Sequence, residues 1–116
     1  MTVDELVKSD LYRNLFEKYI NARNKVLSCV TVKEFTDCFT DILDFLHFYE
    51  KYDFFKGNVV LDCSESFKRE INFYEKMLKF INDNYSDSNF KLKYDDRFKG
   101  ERSRVEDEWK AKHWVL

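Results

Sequence analysis

The sequence predicts a mostly α protein: a small three- to four-helix bundle in a single domain over residues 1–116, with room for one short two-stranded β-ribbon. Three observations predict it. Apolar residues recur at alternating steps of four and three through two long stretches, the spacing of one helical face. The Thr/Ser-x-x-Glu spacing of a capping box occurs three times, at Thr2/Glu5, Thr31/Glu34 and Ser103/Glu106. The chain has 116 residues, 44% hydrophobic and 36% charged, which suits one globular core and argues against disorder.

Taken in order, residues 2 to 9 form a short amphipathic piece behind Thr2, with Val3, Leu6 and Val7 on one side. At about 100° per residue these fall opposite Leu11, Leu15 and Tyr19, so a break is expected at the N-cap pair Ser9-Asp10. Leu11 to about Leu27 reads as a helix whose apolar arc contains Leu11, Tyr12, Leu15, Phe16, Tyr19, Val26 and Leu27. Arg23 falls inside that arc, where its stem is expected to pack while the guanidinium reaches outward. Ser28 to Val30 is a short connection, so the first two helices should be antiparallel neighbours.

The organising stretch is Thr31 to Phe55. Its capping box starts a helix, Phe35, Phe39, Ile42, Leu46 and Tyr49 form its core stripe, and Gly57-Asn58 closes it. Val59 to Cys63 follows as a short apolar run, readable as strand or buried loop. Ser64 or Ser66 should cap a third helix with Phe67, Ile71, Tyr74, Leu78, Ile81 and Tyr85 inward, flanked by Phe73, Met77 and Phe80. Asn82 to Asn89 is polar and rich in turn formers. Phe90 to Tyr94 alternates strictly and reads as a strand that could pair with Val59 to Leu61. Asp95 to Gly100 reads as a turn, and Ser103 starts a last helix to about Trp114 with Val105, Trp109 and Leu116 on one side.

Composition bounds the function. Twenty basic and twenty-two acidic residues leave a net charge of −2, too little to draw nucleic acid or an anionic membrane by a global field. Three cysteines, Cys29, Cys38 and Cys63, form no Cys-x-x-Cys pair and read as buried thiols of a reducing cytosol. The first residues carry acids and no apolar run of signal-peptide type, and no segment is apolar enough to span a membrane. A cytoplasmic protein is expected. Aromatics reach 18% while alanine occurs only at Ala22 and Ala111, the composition an AT-rich coding sequence would produce. That composition fits an AT-rich bacterium, its phages or its mobile elements.

No catalytic, cofactor-binding or metal-binding set is predicted. The two glycines, Gly57 and Gly100, build neither a P-loop nor a dinucleotide fingerprint. His47 and His113 lie in unrelated segments, and no cysteine has an activating neighbour in sequence. Glu34-x-x-Asp37 and Glu50-x-x-Asp53 match half of the carboxylate pattern by which helical nucleotide pyrophosphatases hold magnesium, but no Glu-x-x-Glu precedes them.

What remains is a second face of the organising helix. Glu34, Asp37, Asp41 and Asp44 share one side, with Phe48 projecting from the strip and Tyr52 at its edge. Carboxylates there steer toward a basic protein surface or imitate phosphates, and an aromatic supplies an anchor. The expected function is a small non-enzymatic protein-binding module, of the kind an anti-defence inhibitor, antitoxin or immunity protein represents. Its expected partner is a protein with a basic surface. Two other classes compete: a metal-dependent hydrolase using Asp37, Asp41, Asp44 and His47, and a nucleic-acid-binding module using the cluster Arg97, Lys99, Arg102 and Arg104 with Phe98 interleaved.

Overall fold

The computed structural model describes residues 8–51 and 62–113, without the side chains of residues 50–51, 62–67 and 111–113. Among these residues four α-helices follow one another: α1 (Asp10–Lys25), α2 (Val32–Lys51), α3 (Asp62–Asn84) and α4 (Asp96–His113). Short 3₁₀ turns at Val26–Ser28 and Leu92–Tyr94 close the α1–α2 and α3–α4 connections. The Thr2/Glu5 box, the closure at Gly57-Asn58, the run Val59 to Leu61, Trp114 and Leu116 lie outside the described residues.

α1 begins where the phase break predicts. The Ser9 hydroxyl accepts from the Tyr12 N–H at 3.2 Å, which satisfies one of the donors a helix start leaves open. Its inner face is aromatic, and Phe45 of α2 is the hub. The Phe45 ring lies 4.6 Å from Tyr19, 5.6 Å from Phe16 and 5.9 Å from Tyr12, with edge-on and stacked geometries typical of packed rings.

α2 touches all three other helices. Ile42 and Leu46 are fully buried, with Phe35 and Phe39 nearly so and Tyr49 half-buried. Phe39 meets Tyr74 of α3 at 5.0 Å, and Phe35 meets Phe98 of α4 at 5.0 Å. The buried face is wider than the stripe, because Cys38, Leu43 and Phe45 are also buried. A helix packed on several sides needs more than one line of apolar residues.

The rest departs from the sequence reading at element boundaries. α3 begins at Asp62, so Ser64 and Ser66 lie within its first turns and do not precede it. Its most buried residues are Met77 and Ile81, with Met77 at the centre of the face and not on its flank. α3 runs to Asn84, three residues into the expected loop. Phe90 to Tyr94 is not a strand: an isolated antiparallel bridge joins Lys91 to Thr31, and Leu92–Tyr94 coils into a 3₁₀ turn. Alternation there reflects one fully buried residue, Leu92, between Phe90 and Tyr94, which are 41% and 64% exposed. α4 begins at Asp96, seven residues before Ser103, so of the expected turn at Asp95 to Gly100 all but Asp95 is helix. Phe98, read as part of a basic cluster, is a core residue only 2% exposed.

Candidate partner-binding face

The acidic face of α2 starts at its cap. The Glu34 N–H donates to the Thr31 hydroxyl at 3.2 Å, and the Glu34 carboxylate accepts from the Thr31 N–H at 3.2 Å and the Thr31 hydroxyl at 3.1 Å. These bonds, the Thr31 N–H first, hold the Glu34 carboxyl below its ordinary range. Val32 and Lys33 donate to the carbonyls of Phe90 and Ser88 at 2.9 and 3.0 Å. The first-turn donors of α2 are therefore all satisfied, and Glu34 is a structural residue of the helix start.

Further along, Asp37 and Asp44 are exposed and Asp41 is half-buried between them. Burial raises the Asp41 carboxyl above its ordinary range, and the charges of Asp44 and Asp37 push the same way against Lys18 of α1. Among the described residues none of the three has a cation within 4.0 Å. Some acids elsewhere are paired: Glu70 with Arg23, Glu75 with His47, Asp83 with Lys79, and Glu101 and Glu108 with Arg104.

Phe48 ends the strip, half-buried, with its ring 6.4 Å from Tyr12 of α1. It belongs partly to the α1–α2 seam, so only part of its ring is open to solvent. Leu11, two turns before Lys18 and on the same side of α1, is exposed. Tyr52 lies outside the described residues.

His47 leaves the acids. Its Nε2 lies 2.9 Å from Glu75 of α3, while Asp41 feels the charge of Lys18 of α1. Among the described residues no three His, Cys, Asp or Glu side chains converge on a point that could hold a metal ion.

The basic cluster is dispersed along α4. Arg104 engages Glu101 and Glu108, and Arg97 donates to the Asn84 side chain at 2.9 Å. Lys99 and Arg102 stay exposed. Arg102 instead joins a half-open groove of about 310 Å³ between α3 and α4, lined by Arg69, Phe73, Tyr74, Glu106 and Trp109 among others. The sequence gives no sign of this groove, because it depends on how two distant helices pair. Arg23 is likewise not free: it accepts no role at the surface alone but donates to the Tyr19 hydroxyl at 2.6 Å and to Glu70 at 3.0 Å, tying α1 to α3.

Comparison with protein-family models, with characterised proteins and with solved structures finds no match. No helix among the described residues is long and apolar enough to cross a membrane.

Proposed function

We propose that this chain is a non-enzymatic protein-binding module whose docking face is the acidic side of α2, with Asp37, Asp41 and Asp44 as its charged row and the open part of the Phe48 ring as its apolar border. The single observation that carries the reading is that three like charges share this row with no ion pair among the described residues, Lys18 of α1 acting on Asp41 only at longer range. Three carboxylates stand along one rigid helix without an ion-pair partner among the described residues, and Asp41 is held up by burial and by the other two. Nothing in the packing of the bundle requires that arrangement, and a cation brought to the row would relieve it. Glu34 is excluded from the docking set because its carboxylate caps the helix. The partner is a protein with a basic surface, such as a nucleic-acid-binding groove that a line of carboxylates can occupy.

Small size and an AT-rich composition favour a cytoplasmic inhibitor carried by a phage or mobile element, of anti-defence or antitoxin type.

The test is capture from extracts of the source cell with three baits: wild type, Asp41→Lys and Arg102→Glu. A protein retained by wild type and Arg102→Glu, lost with Asp41→Lys and eluted by salt, supports the reading. A partner that Asp41→Lys retains as well as wild type sinks it. Nucleic acid retained by Asp41→Lys and lost with Arg102→Glu would move the function to the α3–α4 groove.

A further inference from the structure

Two of the three cysteines meet inside the bundle. Cys29 sits in the extended connection after the first 3₁₀ turn, and Cys38 sits in the second turn of α2. Their Sγ atoms are 3.3 Å apart and both residues are buried, Cys29 completely. One thiol donates to the other sulfur. The contact lies at the most heavily bonded corner of the fold. Between the two cysteines in sequence stand the Thr31/Glu34 cap, the Val32 and Lys33 bonds to the α3–α4 connector and the Thr31–Lys91 bridge.

We propose that Cys29 and Cys38 form an oxidative modification site: a buried dithiol that peroxide converts to an intramolecular disulfide without rearranging the α1–α2 corner. Closing the bond needs the sulfurs to approach from 3.3 Å to the bonded ~2.05 Å, a movement that side-chain rotation supplies. The chemistry balances in two steps. One thiolate attacks an oxygen of hydrogen peroxide, the O–O bond breaks, and the sulfur becomes a sulfenic acid while hydroxide leaves and takes up the thiol proton as water. The second sulfur then attacks the sulfenic sulfur, expels its oxygen as a second water, and the S–S bond forms. Each cysteine loses one hydrogen, and the peroxide takes both electrons.

Burial sets the rate. Cys29 is pushed up to about 12, by removal from water first and by its hydrogen bond with Cys38 second, so its thiol stays protonated at neutral pH. Oxidation is therefore slow, and a large disulfide reagent is excluded where peroxide can enter. The finished bond is shielded from reductants by the same burial. The site differs in this respect from a fast peroxide sensor, whose thiolate is exposed and acidic.

The decisive experiment is peptide mapping of the Cys63→Ser protein after peroxide treatment under folding conditions. Cleavage after Lys25, Lys33 and Lys51 places the two cysteines on separate peptides, residues 26–33 and 34–51. The expected result is an intact mass lowered by two hydrogens, with those peptides joined until reductant is added. Cys38→Ser in the same background abolishes the loss of mass and leaves oxygen addition in its place. Oxygen addition to the Cys63→Ser protein without a linked pair would overturn the proposal. So would a link that forms only after the protein is denatured, since that is how two thiols on a flexible chain behave. The mapping reads the intact pair, so it holds even where Cys38→Ser fails to fold.

Discussion

α2 and α4 enter the bundle by different devices. The start of α2 is locally redundant: Thr31 and Glu34 cap each other, and the connector from α3 supplies carbonyls to Val32 and Lys33. The start of α4 hangs on one carboxylate. Asp95 Oδ2 accepts from the Phe98 N–H at 3.3 Å and also from the Tyr85 hydroxyl, which arrives from the end of α3. The first device spreads its bonds over several backbone groups. The second concentrates a helix cap and a tertiary tie on a single atom, so α4 should fail first when one side chain is removed.

The largest effect expected from this contrast is that of Asp95→Ala. Removing the carboxylate deletes the cap and leaves the half-buried Tyr85 hydroxyl without its partner, for a combined loss of about 2–3 kcal/mol in urea unfolding. Asp95→Asn keeps a cap of similar quality and should recover about half. Burial first, and then the bond to Asp95, pushes the Tyr85 phenol up to about 12. Its folded value lies above its unfolded one, so the tie contributes fully below pH ~10 and is lost as pH rises through the folded value. A wild-type protein whose stability does not fall in that window would mean the Tyr85–Asp95 tie is absent in solution.

Thr31→Ala comes next, at about 1 kcal/mol, because the bonds from Val32 and Lys33 to the connector survive it. Its cost should shrink in acid. Glu34 has a lowered folded pKa, so its share is present above the ordinary glutamate range and lost as pH falls through the folded value. An equal cost at neutral pH and at pH ~3 would show that the box is not closed by the Glu34 carboxylate.

The same contrast explains what could be read from the chain. The α2 start was legible because its box directly precedes a clean apolar stripe, so cap and period agree. The α4 start was not, because Asp96 to Arg104 contains one apolar residue, Phe98, and a glycine, and so carries no periodic signal. The connector misled for another reason: one buried Leu92 between two aromatic neighbours imitates a strand. On the candidate face, a helical wheel suffices to place Asp37, Asp41 and Asp44 together. It cannot show that His47 turns to Glu75, that Phe48 leans on Tyr12 or that Glu34 is engaged in the cap, since these are facts of neighbouring elements.

Gly100 gives a smaller effect of opposite sign. It lies inside α4, and a Cβ built on it meets nothing within 4 Å. Gly100→Ala should therefore stabilise by about 0.5–1 kcal/mol, by removing backbone freedom that only the unfolded chain enjoys. A destabilisation would place the start of α4 after Gly100, where the spacing of Ser103 and Glu106 alone would put it.

The smallest effect is the sharpest comparison with Thr31. Ser103 and Glu106 have the same spacing as Thr31 and Glu34, yet Ser103 lies exposed in the middle of α4 and its hydroxyl makes no hydrogen bond among the described residues. A mid-helix serine caps nothing, because the N–H groups ahead of it already bond to carbonyls one turn back. Ser103→Ala should be neutral or stabilising by up to about 0.5 kcal/mol, the difference in helix propensity between the two residues. If it costs as much as Thr31→Ala, α4 begins at Ser103, Asp95 is no cap, and the contrast between the two helix starts collapses.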